Sequence, residues 1–482
     1  MTETTLTYRS EIAAPAADVL TWHSNPGAFE RLTPPWMNVR VLDGVGGIEP
    51  GDWKRLRVGA GPIGVPWTLV HDKAEDGTGF VDKQKDGPFE FWRHEHRFLS
   101  DGPERSMLED RITYRLPFGS VGQLVAGRQF ERRLEDLFQF RHRRTQGDLA
   151  RHAAAELARP QRIAISGASG LVGSQLVPFL RAGGHDVARL VRRRPNAADE
   201  IAWDPAADQI DAASLEGMDA VIHLAGVSIA GGRWTKARKA AILSSRLQGT
   251  SLLAETLTRL QRPPRAFISA SGIGYYGDAG NAPLTEESPP GAGFLADVCR
   301  AWEAATAPAA AAGIRVVLPR FGVVLAGRGG LLARLVPPFR FGLGGPLGSG
   351  EQFMSWIALD DLLGVLLQAI ADDRLVGPVN AVAPHAVTNR AFAEMLGRVL
   401  GRPAVLQAPA SALRLVAGDL ADELLLASQL ARPTRLENVD FSFAFPALED
   451  ALRHELGRFG GSRGAEVSGA LSHATVQPIQ RL

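Results

Sequence analysis

The chain has 482 residues, with 53 Lys and Arg against 52 Asp and Glu, and its formal net charge of +1 gives no global reason to expect nucleic acid or acidic partners. A hydrophobic content of 45% is enough for ordinary packed cores, in roughly two to four domains. The start Met1-Thr-Glu-Thr-Thr-Leu6 lacks a basic segment followed by an apolar core, no run reaches the ~20 apolar residues of a membrane span, and the lone Cys299 excludes an intramolecular disulfide and a cysteine-based metal cluster. A cytoplasmic protein without a membrane span is the expectation.

Residues 1–145 begin with a strand at 6–13 and a helical stretch at 15–32 that breaks at Asn25-Pro26. Six strand-like segments follow at 39–42, 53–58, 66–70, 79–83, 89–99 and 107–116, with turn residues between them. In the last, Leu108, Ile112, Tyr114 and Leu116 share one face and Glu109, Arg111, Thr113 and Arg115 the other. Asp110 falls on the apolar face, where a buried carboxylate needs a partner; a hydrogen bond to a turn is the expected one. His94 and His96 share a strand face, but no third ligand is apparent, so no metal is expected. A long helix closes the segment, with Phe130, Leu134, Leu137 and Phe138 on one stripe. The basic run Arg141-His-Arg-Arg144 suits the negative end of that helix.

This order of elements, with the start Ala14-Pro15-Ala16-Ala17-Asp18-Val19, resembles the helix-grip fold of START-like proteins, the polyketide cyclase and lipid-transport superfamily. The resemblance implies an α+β domain in which a curved sheet wraps the last helix around a cavity for an apolar ligand.

Residues 146–161 are polar and alanine-rich, a helical or flexible linker. Then Arg162-Ile-Ala-Ile-Ser runs into glycines at 167, 170 and 173 and on into a helix. Gly167 suits a tight turn off the strand, Gly170 leaves room for a pyrophosphate, and Gly173 lets helix and sheet pack closely. The helix N-terminus offers backbone N–H groups to phosphates, so this is a dinucleotide-binding turn. At the end of the next strand, 187–191, an NAD site places an acid on the ribose, whereas here Arg192, Arg193 and Arg194 follow. A guanidinium holds a 2′-phosphate bidentately, which favours NADP(H). Further strands at 220–224, 266–269 and 315–318 alternate with helical stretches, giving an α/β doubly wound parallel sheet over 162–460. The Gly, Ser and Ala-rich 461–482 segment is expected to be disordered.

Several segments of the second half resemble the epimerase-like family of atypical, extended short-chain dehydrogenases: Gly167-Ala-Ser-Gly-Leu-Val-Gly173, Asp219-Ala-Val-Ile-His-Leu-Ala-Gly226, Ser269-Ala-Ser-Gly-Ile-Gly-Tyr-Tyr-Gly277 and Gly344-Gly-Pro-Leu-Gly-Ser-Gly350. The resemblance implies a Rossmann domain for NADP(H) with a small C-terminal substrate lobe. It implies that Gly167, Ser169, Gly170, Leu171, Val172 and Gly173 line the pyrophosphate and that Arg192 meets the adenosine phosphate. Leu224, Ala225 and Gly226 would pass the adenine ribose, with Ser269, Ser271 and Arg320 toward the nicotinamide.

Two features depart from that family. The usual Tyr-x-x-x-Lys pair is missing, because Ala279 and Gly280 follow Tyr275 and Tyr276 by four residues and Phe294 and Val298 occupy the expected place. Met354 stands where sugar-nucleotide enzymes put an arginine on the substrate phosphate. Ser271, Tyr275 and Tyr276 remain as catalytic candidates, and Lys236, Arg246 and Glu286 as substrate-binding ones. The leading expectation is an NADP(H)-dependent oxidoreductase or epimerase-like enzyme acting on an unidentified small molecule; the alternative is a non-catalytic NADP(H) sensor that binds a lipid-like ligand. Oligomeric state is left open by the sequence.

Overall fold

The computed structural model describes residues 3–59 and 64–460. The segment expected to be disordered, 461–482, lies outside the described residues. The chain divides into two compact units, one made of Met1–Ala154 with Arg181–Gly184 and the segment from His454, the other of Ala155–Leu180 and His185–Arg453. No helix among the described residues is long and apolar enough to cross a membrane.

The first unit runs β1 (Thr4–Ile12), α1 (Ala16–Ser24), α2 (Ala28–Arg31), β2 (Val39–Val45), β3 (Trp53–Val58), β4 (Val65–Lys73), β5 (Gly79–Asp86), β6 (Phe91–Ser100), β7 (Ser106–Arg115) and α3 (Gly119–Ala154). Asn25, which precedes a proline, is extended and ends α1, and Gly27 at φ +97° starts α2. The seven strands form one antiparallel sheet in the order β1-β7-β6-β5-β4-β3-β2. Strand alternation buries Trp92, His94, His96 and Phe98 of β6 on one face. Leu134 and Phe138 of α3 pack there among Tyr8, Trp92, Ile112 and Tyr114, with Tyr8 stacked on Phe138 at 4.7 Å. Each such side chain contributes about 1.5–3 kcal/mol by leaving water. A buried bidentate pair, Arg31 to Asp148 at 2.7 Å for both hydrogen bonds, ties α2 to α3. The long helix continues through 154, so the first part of the expected linker is helical.

Asp110 corrects its expected role. No turn among the described residues satisfies it; its carboxylate meets Nε2 of His94 at 2.7 Å, Nδ1 of His96 at 2.8 Å and Nε2 of His142 at 2.6 Å. Three imidazoles replace the anticipated turn because the β6–β7 register and the inner face of α3 bring them to one point, which local sequence does not encode.

The second unit is a parallel sheet covered on both faces. β8 (Arg162–Ser166), β9 (Asp186–Val191) and β10 (Glu200–Asp204) lie side by side in that order, and on the other side of β8 come Ala220–His223, Ala266–Ser269, Arg315–Phe321 and Gly377–Ala381. Alternation decides the faces. Ile163, Ile165, Ile222 and Ile268 join a cluster with Leu176, Phe179 and Leu180 of α4 (Gly173–Ala182), while Ala164, Val221 and Phe267 pack on Leu252, Leu253 and Leu257 of α5 (Lys236–Thr258). The strand order reverses between β8 and Ala220–His223, which in open α/β sheets opens a crevice at the carboxyl ends of the strands.

A candidate cofactor and reaction site

The glycine turn at that crevice divides its labour. Gly167, at φ +74°, would place a Cβ 2.7 Å from the backbone nitrogen of Ala225, so the turn and the loop after Ala220–His223 touch main chain to main chain. A Cβ on Gly173 would sit 2.3 Å from the carbonyl oxygen of Gly167, which fixes the approach of α4. Gly170 differs: it is exposed, and the nearest atom to a Cβ there is 3.2 Å away. Its N–H donates to Gly167 O at 2.9 Å, while Ser169 is exposed and Leu171 and Val172 are half-buried.

Beyond β9 the local acids are committed. Arg189 holds Asp199 through two hydrogen bonds of 2.9 and 3.0 Å, and Arg193 holds Glu200, with its Nη1 2.8 Å from Oε2. Arg192 is exposed, and its side chain makes no hydrogen bond or ion pair among the described residues. Leu224 and Ala225 are half-buried and Gly226 is exposed. Two buried polar atoms at these strand ends lack hydrogen-bond partners among the described residues, Oγ of Ser269 and Nε2 of His223, on neighbouring residues of two paired strands.

The expected reaction residues fall into one network around a residue that the sequence did not single out. Short pairing sets Ser271 beside Arg320. Ser271 Oγ donates to Glu303 of α6 (Phe294–Ala304) at 2.7 Å, and Arg320 grips the same carboxylate through Nε and Nη2, both at 2.8 Å. Arg320 also donates to the Tyr276 hydroxyl at 2.9 Å, and its guanidinium lies 3.5 Å from the Tyr275 ring centroid. Tyr276 in turn donates to Asn380 Oδ1 at 2.7 Å. Burial works against the Arg320 charge, but Glu303 outweighs it and holds the group above its usual range; burial pushes the Tyr276 hydroxyl up. Arg320 is therefore occupied by internal partners rather than open toward a ligand. Glu303 went unnoticed because it lies in an amphipathic helix 32 residues after Ser271, and only its position one turn beyond Cys299 hinted at a shared face.

The other candidates separate. Glu286 is buried with Oε1 accepting the backbone N–H groups of Asn380 at 3.0 Å and Arg435 at 3.2 Å, so it acts as a cap. Arg246 donates to the carbonyls of Val227 and Ile242, both at 3.0 Å, and stacks on Trp302, fixing the loop after Gly226. Lys236 is exposed at the first turn of α5, where Thr235 caps the helix. Phe294 and Val298 put only carbon where the missing pair would stand. Met354 Sδ accepts a hydrogen bond from Nδ2 of Asn389 at 3.2 Å. Burial pushes the Cys299 thiol up to about 11, which keeps it protonated and unreactive.

The sequence pattern of the NAD dependent epimerase/dehydratase family matches residues 163–382, and an epimerase family protein of Mycobacterium bovis is 43% identical over 298 residues, 62% of this chain and 98% of that one. The chain belongs to that family. A pattern described as polyketide cyclase / dehydrase and lipid transport matches residues 12–141, and a domain of unknown function, DUF1731, matches 408–455. The crystal structure of a nucleoside-diphosphate sugar epimerase from Corynebacterium glutamicum is 34% identical with a TM-score of 0.77, covering 94% of this chain and 90% of that one. The structure of the human epimerase family protein SDR39U1 with NADPH is 36% identical with a TM-score of 0.56, covering 61% of this chain and 98% of that one.

Proposed function

We propose that the second unit of this epimerase-family chain binds NADP(H) and acts as an oxidoreductase on an unidentified small molecule held by its C-terminal lobe. The observation that carries this reading is the exposed Arg192, unpaired among the described residues at the end of β9, beside acids already committed to other arginines, together with a turn in which Gly170, of its three glycines, is the open one. The ribose phosphate of the cofactor meets Arg192, the pyrophosphate meets the turn, and Ser269 Oγ and His223 Nε2 supply polar atoms at the strand ends. The solved human relative with NADPH supports the choice of cofactor.

Bound there, NADP(H) supplies hydride transfer. The chain's own contribution is positioning by groups other than a tyrosine and lysine pair. Glu303 accepts the hydrogen bond of the Ser271 hydroxyl and so orients it, while Arg320 holds that carboxylate in place through two hydrogen bonds. Lys236 is the exposed cation near the start of α5 for an anionic substrate group. The first unit, with its helix-grip order and its match to a lipid-transport pattern, takes the apolar ligand.

A fluorescence titration of the full chain with NADPH and NADH, beside Arg192→Glu, tests the reading. The expected result is tighter binding of NADPH than NADH and loss of that preference in the variant; no binding of either nucleotide would sink it. The second reading, a non-catalytic NADP(H) sensor with a lipid-like ligand, draws on Arg320, Tyr276 and Glu286 being occupied internally. Oxidation of bound NADPH on adding cell extract separates the two.

A further inference from the structure

The inner face of the first unit carries a row of side chains that the reading above leaves unused. Strand register builds it: His71 of β4 stands opposite Asp82 of β5, Asp82 opposite His94 of β6, and His96 opposite Asp110 of β7. His71, His94, His96 and Asp110 are buried, and the Asp82 side chain is 14% exposed.

We infer that Asp82, His94 and His96 form a binding site for a divalent transition-metal ion of the Fe2+ to Zn2+ series. One ligand atom from each of the three lies within 4.8 Å of the others. Nε2 of His96 is 3.2 Å and Nδ1 of His94 is 3.9 Å from Oδ2 of Asp82. Tetrahedral ligands ~2.1 Å from a zinc ion stand about 3.4 Å apart, so a small closure brings all three atoms to bonding distance.

The neighbours of these atoms decide which ones face the ion. The remaining nitrogens, Nε2 of His94 and Nδ1 of His96, both meet Oδ1 of Asp110, at 2.7 and 2.8 Å. A carboxylate that takes the far N–H of a histidine fixes its tautomer and leaves the lone pair of the other nitrogen for a metal. Here one carboxylate does this for two rings, so the opposite nitrogens, Nδ1 of His94 and Nε2 of His96, both face Asp82; without an ion Nε2 of His96 hydrogen-bonds Oδ2 of Asp82, and a metal ion would displace that proton. Asp110 is itself held by Nε2 of His142 at 2.6 Å, and Nδ1 of His142 meets Ser10 Oγ at 2.8 Å. On the other side Nδ1 of His71 lies 2.6 Å from Oδ1 of Asp82, so Oδ2 is the carboxylate oxygen that faces His94 and His96. Nε2 of His71 is buried without a hydrogen-bond partner among the described residues.

Two imidazoles and one carboxylate suit first-row transition metals, whereas Ca2+ and Mg2+ select oxygen donors throughout. Three protein ligands leave a coordination position for water or another oxygen donor, and the partly exposed Asp82 marks the side from which an ion enters.

The test uses the full chain, stripped with a chelator and dialysed, titrated with Zn2+ by calorimetry and with Co2+ by visible absorption. One equivalent of Zn2+ is expected, with a Co2+ spectrum of nitrogen and oxygen ligands and no thiolate band. Asp110→Asn should weaken binding about 10–100-fold, and Asp82→Asn should abolish it, with circular dichroism confirming that each variant is folded. NADPH titration of the same variants should be unchanged, which keeps this outcome separate from that of the cofactor reading. Absence of stoichiometric binding in the wild type, or wild-type affinity in folded Asp82→Asn, overturns the proposal. If the variants do not fold, crystals of the wild-type chain grown with Zn2+ decide it: an anomalous peak bonded to Asp82, His94 and His96 supports the site, and a peak only elsewhere overturns it.

Discussion

Each unit buries a polar cluster, and the two are closed by different chemistry. In the second unit a planar guanidinium grips a carboxylate with two parallel bonds, Arg320 on Glu303, and Ser271 and Tyr276 complete the set. An arginine never gives up its proton in a protein, so this cluster has one charge state and serves as scaffold. In the first unit imidazoles stand where the guanidinium would be. His96 lies between two carboxylates, and although burial opposes its charge, Asp110 and Asp82 draw it up to about 9. Imidazole releases its proton to a competing cation, so the first cluster is exchangeable where the second is fixed. The same burial therefore yields a brace in one unit and a binding site in the other, according to which base meets the carboxylate.

The sharpest way to break this contrast is to remove the fork. Arg320→Met leaves the largely covered Glu303, its side chain 11% exposed, without its counter-charge, and stability of the second unit should fall by about 3–5 kcal/mol. Urea unfolding followed by a probe in that unit checks it; an unchanged midpoint would mean that Glu303 is satisfied without Arg320. Next in size is the glycine turn, where two positions that look alike in sequence should behave differently. Gly173→Ala forces a Cβ to within 2.3 Å of a carbonyl oxygen and should cost about 1–3 kcal/mol along with NADPH binding. Gly170→Ala meets its nearest atom at 3.2 Å, so it should keep most of the stability while weakening NADPH. Thermal unfolding and nucleotide titration of both variants give the comparison, and equal losses of stability would contradict the assignment of Gly170 to the ligand.

What could be read from the chain follows the range of the interactions. The turn at Gly167 to Gly173 and the basic end of β9 are local, so spacing alone could single them out as candidates. The strands of the first unit were legible from alternation, within a few residues at their ends. The buried clusters were not, because each is assembled by register between distant segments. Glu303 and Ser271 are brought together by a helix crossing a strand end, and nothing in Phe294–Ala304 sets Glu303 apart from any polar helix residue. His94 and His96 were visible as a pair, but their third ligand, Asp82, depends on the pairing of β5 with β6. Aligning the two segments as a hairpin from the turn near Asp86 to Glu90 would have offered Asp82 opposite His94, a signal that strand alternation alone does not give.

A pH-dependent effect bears on the histidine that behaves in the opposite way to His96. His223 ends its strand with Nδ1 2.6 Å from Ser166 Oγ and with no carboxylate partner among the described residues. Burial, helped by the charge of Arg246, lowers its pKa from 6.5 to about 3. The folded chain thus keeps the ring neutral while the unfolded chain takes up a proton below 6.5, so the stability it contributes is complete above that value and declines as the pH falls toward 3. The slope approaches ~1.4 kcal/mol per pH unit, and the loss reaches about 2–3 kcal/mol near pH 4.5. His223→Gln removes this component. The urea midpoint of the second unit should therefore fall less between neutral and acid pH in the variant than in the wild type, and parallel pH profiles would show that His223 is not held neutral by the fold.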